Sequence, residues 1–253
     1  MIYFINKTDF LISFWRKIGI LIILTPIFFI DGTFVNSYFP YGQQVLSILT
    51  ICAFLVFYKR ARSRVKKIYL YVLLFSPLVE FTMSLFFNMY SYRLNNVPIY
   101  TFFMHAICIG RLFEFCSEKT IKANKNTLLL LLYLFLICHS ITYLVLFNDI
   151  FGFVMFLGII ILCLLRPKYQ LFFLTYHLII AFAELSGVYF QAWYWPELAF
   201  NYFENLPSNN PPSGISLFYY LLELGAFIFY ILFNKKSWNR FKKINYKRFA
   251  NNV

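Results

Sequence analysis

Ionisable side chains set inside long apolar stretches are the residues of this chain best placed to do chemistry. Of its ten acidic residues, Asp31, Glu80, Glu114, Glu184 and Glu223 fall in such stretches, as do Arg111 and all three histidines, His105, His139 and His177. A charge in hydrocarbon is costly unless a polar interior receives it, so residues of this kind mark a catalytic site, a proton path or a tight structural pair. A desolvated carboxyl can keep its proton near neutrality and act as an acid. Glu80 and Glu223 are the expected acids, with Glu184 and His105 as supporting polar groups. The competing reading is that the same side chains only tie neighbouring helices together.

The elements that must position them are membrane helices. The chain has 253 residues, 61% apolar and only 13% charged, where a soluble domain carries about 25% charge. Backbone amides in lipid must be satisfied within the segment, which leaves helices or closed barrels, and the apolar runs here are too long for barrel strands. Eight spans are expected, at 18–38, 44–58, 68–90, 98–116, 127–147, 150–166, 170–192 and 214–234. They form a single all-α transmembrane domain over 1–253, ending in a basic tail at 235–253. The second and sixth are short enough to be re-entrant or strongly packed helices.

Charge sets the orientation. With the N-terminus cytoplasmic, Lys7, Arg16 and Lys17, the run from Lys59 to Lys67, then Lys119, Lys122, Lys125, Arg166, Lys168 and the tail all fall on the cytoplasmic side, leaving only Arg93 in an outer loop. Short basic loops are retained on that side, so the pattern requires an even number of spans. The first span has a basic flank like a signal peptide, yet no A-x-A-type cleavage site follows, so it is kept as a helix. A bacterial inner membrane is the expected location. The tail, with Trp238 and Phe241 among its cations, suits anionic headgroups. The net charge of +13 therefore reflects membrane topology and not nucleic-acid binding.

Depth and facing sharpen the site. Counted from the outer end of each span at about 1.5 Å per residue, Asp31, His105, His139, Glu184, Glu223 and Glu80 form one layer about 9–15 Å deep, with Arg111, Glu114 and His177 beyond about 20 Å. Arg111 reaches Glu114 at i+3. Ser76, Glu80, Ser84 and Asn88 form one polar stripe, His177, Glu184 and Gln191 a second, and Ser216, Tyr219, Tyr220 and Glu223 a third, all expected to face inward. Pro77 frees a carbonyl and allows a bend one turn before Glu80. The loop from Trp193 to Gly214 reads as an ordered lid, with Trp193, Tyr194 and Trp195 at headgroup level. The five cysteines lie in or beside spans without CxxC spacing, as packing residues. HExxH, Walker and dinucleotide motifs are absent, and neither metal nor cofactor is expected. Of the histidines, only His105 and His139 share a depth at which they could hold one haem iron.

Leu78-Val79-Glu80-Phe81, Tyr194-Trp195-Pro196-Glu197 and Leu222-Glu223-Leu224 together resemble the pyripyropene-type integral-membrane terpene cyclases of fungal meroterpenoid pathways, which have bacterial relatives. The resemblance implies that Glu80 and Glu223 protonate and steer a prenyl chain or its epoxide. This chain departs from the family in its eight expected spans against seven, in Val79 where the family has Trp, and in Glu223 where it has Asp. Aromatic faces for a developing cation are plentiful, with 34 Phe, 20 Tyr and 4 Trp. The expected function is thus a membrane-embedded enzyme acting on an isoprenoid or other small lipid-like substrate among membrane lipids. The alternative is a proton-coupled transporter or a subunit of a transport complex, for which an internal repeat would be usual and none is visible.

Overall fold

A computed structural model describes residues 7–235, without the side chains of Lys7 and of five positions in the last helix, 221–223 and 226–227. The basic tail expected at 235–253 lies, beyond Lys235, outside the described residues. The fold is dominantly helical, and among the described residues six helical segments are long and apolar enough to cross a membrane: Thr8–Tyr38, Gly42–Arg60, Ser63–Phe86, Ile99–Ser117, Lys125–Phe147 and Pro167–Tyr189. Ile150–Leu165 is a seventh, shorter apolar helix, and Ser216–Phe233 an eighth helical segment.

The expected first span, 18–38, is not one regular helix. It begins earlier and breaks into α1 (Lys7–Phe14), a π-helical turn (Trp15–Gly19), α2 (Ile20–Ile23), a 3₁₀ stretch (Thr25–Asp31) and α3 (Thr33–Tyr38). Pro26 at the start of the 3₁₀ stretch has no amide to continue the α ladder, and Gly32 is fully extended before α3. α4 (Gly42–Arg60) is longer than the expected 44–58 and is a full-length segment. α5 (Ser63–Glu80) passes into a π-helical turn (Phe81–Phe86). Pro77 leaves the Leu73 carbonyl without its usual donor, and the Ser76 hydroxyl stands 3.5 Å from it.

α6 (Ile99–Ser117), α7 (Lys119–Ala123), α8 (Lys125–Phe147), α9 (Ile150–Leu165), a 3₁₀ turn (Pro167–Tyr169), α10 (Gln170–Tyr189) and α11 (Ser216–Phe233) complete the bundle. α6 and α10 are its most buried long segments, whereas α8 turns much of its surface outward. α6 packs on α5, α4 and α10, while α8 and α9 flank α10 and α11 closes on α5. Leu130, Leu131, Val145 and Leu146 on α8 are exposed, an outer surface suited to hydrocarbon. Alternating helix directions bring the basic segments around residues 16–17, 59–67, 119–125 and 166–168 to one end of the bundle, the basic end.

The opposite end carries a lid. β1 (Ser91–Tyr92) pairs antiparallel with β2 (Trp193–Tyr194), Ser91 opposite Tyr194 and Tyr92 opposite Trp193. β3 (Leu198–Ala199) and β4 (Phe203–Pro207) form a second short hairpin. Asp149 fixes the rest of the lid. Its Oδ1 accepts from the amides of Gly152, at 3.0 Å, and Asn209, at 3.1 Å, and its Oδ2 from that of Ser213, at 2.7 Å. It thus caps α9 and anchors the 208–213 strap with the same carboxylate. Gly152 must be glycine for this approach, since a Cβ there would lie 1.9 Å from Asp149 Oδ2.

Candidate active site under the lid

Period-two alternation in the lid ribbon builds the site. In Tyr90-Ser91-Tyr92 and Trp193-Tyr194-Trp195 the outer members of each triplet are buried, while Tyr194 is exposed. Successive side chains of an extended strand point to opposite faces, so one pairing aims four aromatic donors into the bundle. Trp193 and Trp195 therefore do not face outward as an aromatic belt would. Both indoles are turned inward onto a carboxyl group.

The two tyrosines serve Glu80, which α5 delivers at its junction with the π-helical turn. The hydroxyls of Tyr90 and Tyr92 each donate to Glu80 Oε2 at 2.6 Å. His105 Nε2, from α6, stands 2.6 Å from Glu80 Oε1. Burial, followed by the neighbouring carboxylate, pushes both phenols well above their usual range, so they remain protonated donors. The two tryptophans serve Glu184 on α10. Trp193 Nε1 and Trp195 Nε1 donate to its Oε2 at 2.7 and 2.9 Å, and the Tyr219 hydroxyl from α11 donates to its Oε1.

The two carboxyls are held by one plan. Each Oε2 is met by two donors. At Glu184 both are indole N–H groups, which can only donate, so a proton carried by that acid sits on Oε1, against Tyr219. At Glu80 the partner of Oε1 is His105. The imidazole of His105 and the ring of Tyr219 lie 5.4 Å apart, centroid to centroid. Two hydrogen-bonded pairs thus face each other across one ring contact.

Both pairs line a cavity of about 160 Å³. Tyr90, Tyr92, Tyr100, Phe28 and Trp193 bring aromatic rings to its lid end, and Leu21, Leu24, Ala53, Phe57 and Ile107 make an apolar remainder. Glu80 and Glu184 are both 2% exposed, so each needs all of its donors. Among the described residues no Lys or Arg lines this cavity, and no group of three or more His, Cys, Asp or Glu is placed to hold a metal ion.

The other ionisable residues expected within the spans separate into distinct clusters. Asp31, at the end of the 3₁₀ stretch, pairs with Arg93 at 2.7 Å and accepts from the hydroxyl of the cavity residue Tyr100 at 2.8 Å. Arg111 meets Glu114 at 2.7 Å, and Lys17 reaches the same carboxylate at 2.8 Å, near the basic end. His105 and His139 do not form a pair. His105 is committed to Glu80, and His139 lies instead beside His177, ring centroids 5.6 Å apart, with His177 Nδ1 2.8 Å from Ser216 Oγ. The backbone of Glu223 lies in α11, but its side chain is outside the described residues. Of the four expected site residues, then, Glu80, Glu184 and His105 come together. Tyr90, Tyr92, Trp193, Trp195 and Tyr219 join them as donors not assigned from the sequence, and the aromatic alternation in the two triplets is the signal that could have found the first four.

Comparison with protein-family models, curated proteins and solved structures finds no match. What the site can do rests on its own atoms. Two carboxyls at hydrogen-bonding distance from exchangeable partners, in an apolar and aromatic cavity, can donate a proton at one place and accept one at the other.

Proposed function

We propose that the protein is a membrane-embedded enzyme that applies acid–base chemistry to an isoprenoid or other lipid substrate, and that acid-initiated cyclisation of the terpene cyclase kind is the reaction its site suits best. The observation that carries this reading is the facing of the Glu80–His105 and Glu184–Tyr219 pairs at the lid end of an aromatic-walled cavity. In the proposed cycle the proton held between Glu80 and His105 passes to an alkene or epoxide. The aromatic rings stabilise the cation that forms, and the Glu184–Tyr219 pair takes the proton lost when the cyclised cation is quenched. A proton passed back between the pairs restores the starting state. Glu223 stays in this reading as a further acid on α11.

The setting proposed for it is a bacterial inner membrane, crossed by all eight helical segments with the basic end cytoplasmic. A proton-coupled carrier would draw on the same acids but must open the lid end. There the β1–β2 pairing, the Asp149 anchor and the buried Asp31–Arg93 pair all hold it shut.

The test uses purified protein in nanodiscs, supplied with polyprenyl hydrocarbons that carry a terminal epoxide, so that the one polar end is also the reacting end. Wild type is expected to form a cyclised product, and Glu80→Gln and Glu184→Gln to lower turnover about 10²–10⁴-fold, the range of general acid–base catalysis, with unchanged thermal unfolding. Failure of wild type to convert any such substrate, together with proton-driven solute uptake in proteoliposomes, overturns the enzyme reading in favour of the carrier.

A further inference from the structure

The cavity has a direction. On α4, which runs from the lid end to the basic end, Leu49 lies about 10 Å and Phe57 about 22 Å below Gly42, while His105 lies about 9 Å below the start of α6 and Glu184 about 8 Å below the end of α10. All four line the same cavity. Its polar groups thus collect at the lid end, and its apolar wall continues toward the basic end. It also reaches the outer surface. Among its lining residues Leu24 and Leu49 are the exposed ones, at 46% and 43%. One belongs to the first segment and the other to α4. Nearer the lid these two elements are tightly joined, since a Cβ on Gly42 would lie 1.9 Å from the Ile30 carbonyl oxygen. Further down each has another neighbour, α2 packing on α10 and α4 on α6.

From this geometry we infer that the cavity is loaded sideways from the bilayer, through a gap between Leu24 and Leu49, by a single-chain lipid lying with its polar end at Glu80 and Glu184 and its chain toward the basic end. The inference rests on reading the site as one that acts on a lipid, and it adds the route and the orientation. Volume supports a chain that overruns the cavity. A cavity of about 150 Å³ holds one benzene, so about 160 Å³ takes only the reacting portion of a prenyl or acyl chain, and the rest must lie in the gap or beyond it. Charge supports an uncharged polar end, because the two acids line the cavity and the nearby Arg93 guanidinium is spent on Asp31.

The probe for this is a C16 alcohol carrying a diazirine either beside the hydroxyl or near the far end of the chain, photolysed on the protein in nanodiscs and mapped by mass spectrometry. The head-proximal diazirine should label the stretches around His105 and Trp193, and the distal one those around Ala53, Phe57 and Cys108. Leu49→Trp, which adds bulk at a position already facing outward, should cut labelling about tenfold, and Leu49→Ala should raise it. The inverse pattern, with the chain end at His105, overturns the orientation, and indifference to both substitutions at Leu49 overturns the route. Labelling needs no turnover, so the two readings fail separately. The expected labelling without any conversion leaves the entrance standing and removes the cyclase, while conversion with the wrong labelling does the reverse.

Discussion

At the residue scale, glutamine is the informative replacement for both acids. At Glu80 an amide oxygen still accepts from Tyr90 and Tyr92 while the amide nitrogen donates to His105 Nε2, so every partner is kept and only the exchangeable proton is lost. Alanine would orphan three buried groups at once, at a cost of about 1–3 kcal/mol each. Asp31 and Arg93 allow a sharper stability test, because both side chains are nearly sealed, at 0% and 7% exposed. Asp31→Leu alone leaves a buried guanidinium unpaired and should cost about 3–5 kcal/mol, whereas Asp31→Leu combined with Arg93→Met should recover much of that loss. Thermal unfolding in one detergent checks this cycle, and additive losses in the double variant would show that the two side chains do not act as a pair. The ionisable residues in apolar runs were legible from their cost in hydrocarbon. Their partners were not, because depth along a helix places a residue in a layer without saying which neighbour it meets. His139 illustrates this: its depth matched that of His105, yet its ring lies against His177 on α10.

At the element scale, hydropathy located the helices but not their breaks. α6 runs from Ile99 to Ser117 against an expected 98–116, because an apolar run bounded by Pro98 and a basic loop leaves little freedom. The segment before Tyr38 is equally apolar, yet Pro26 and Gly32 divide it, and the 3₁₀ stretch between them delivers Asp31 to Arg93. Irregular backbone is tolerated at such depth only where it is buried or lines a cavity, and Thr25, Ile27 and Phe28 of this stretch do line the cavity. The lid was legible as an ordered loop, but its alternation was masked by an aromatic composition that reads equally well as a membrane belt. Its anchor gives a prediction. Asp149 uses both oxygens as acceptors for three amides, so Asp149→Asn, which places an NH₂ against one of them, should behave much like Asp149→Ala. Both should speed proteolytic cleavage within 196–213 and lower the unfolding temperature. Cleavage at the wild-type rate in the asparagine variant would mean that the strap is held elsewhere.

At the scale of the whole molecule, the separation of charge and chemistry to opposite ends determines which leaflet meets the site. The basic segments gather at one end, and the lid, both acid pairs and Arg93 lie toward the other. If short basic loops stay cytoplasmic, the acids lie about 8–9 Å beneath the outer surface, and the chain of a lipid bound there would point to the midplane as in an outer-leaflet lipid. Single-cysteine labelling on a background lacking the five native cysteines decides this. Tyr202 at the lid hairpin is 78% exposed, and Lys122 in the basic loop after α6 is also exposed. A membrane-impermeant maleimide should modify Tyr202→Cys in intact cells and Lys122→Cys only after permeabilisation. The reverse pattern would turn the site to the inner leaflet while leaving its chemistry intact. Labelling of both positions in intact cells would instead mean that the chain between α6 and the lid does not cross the bilayer an odd number of times, and the even count inferred from the basic loops would fall with it.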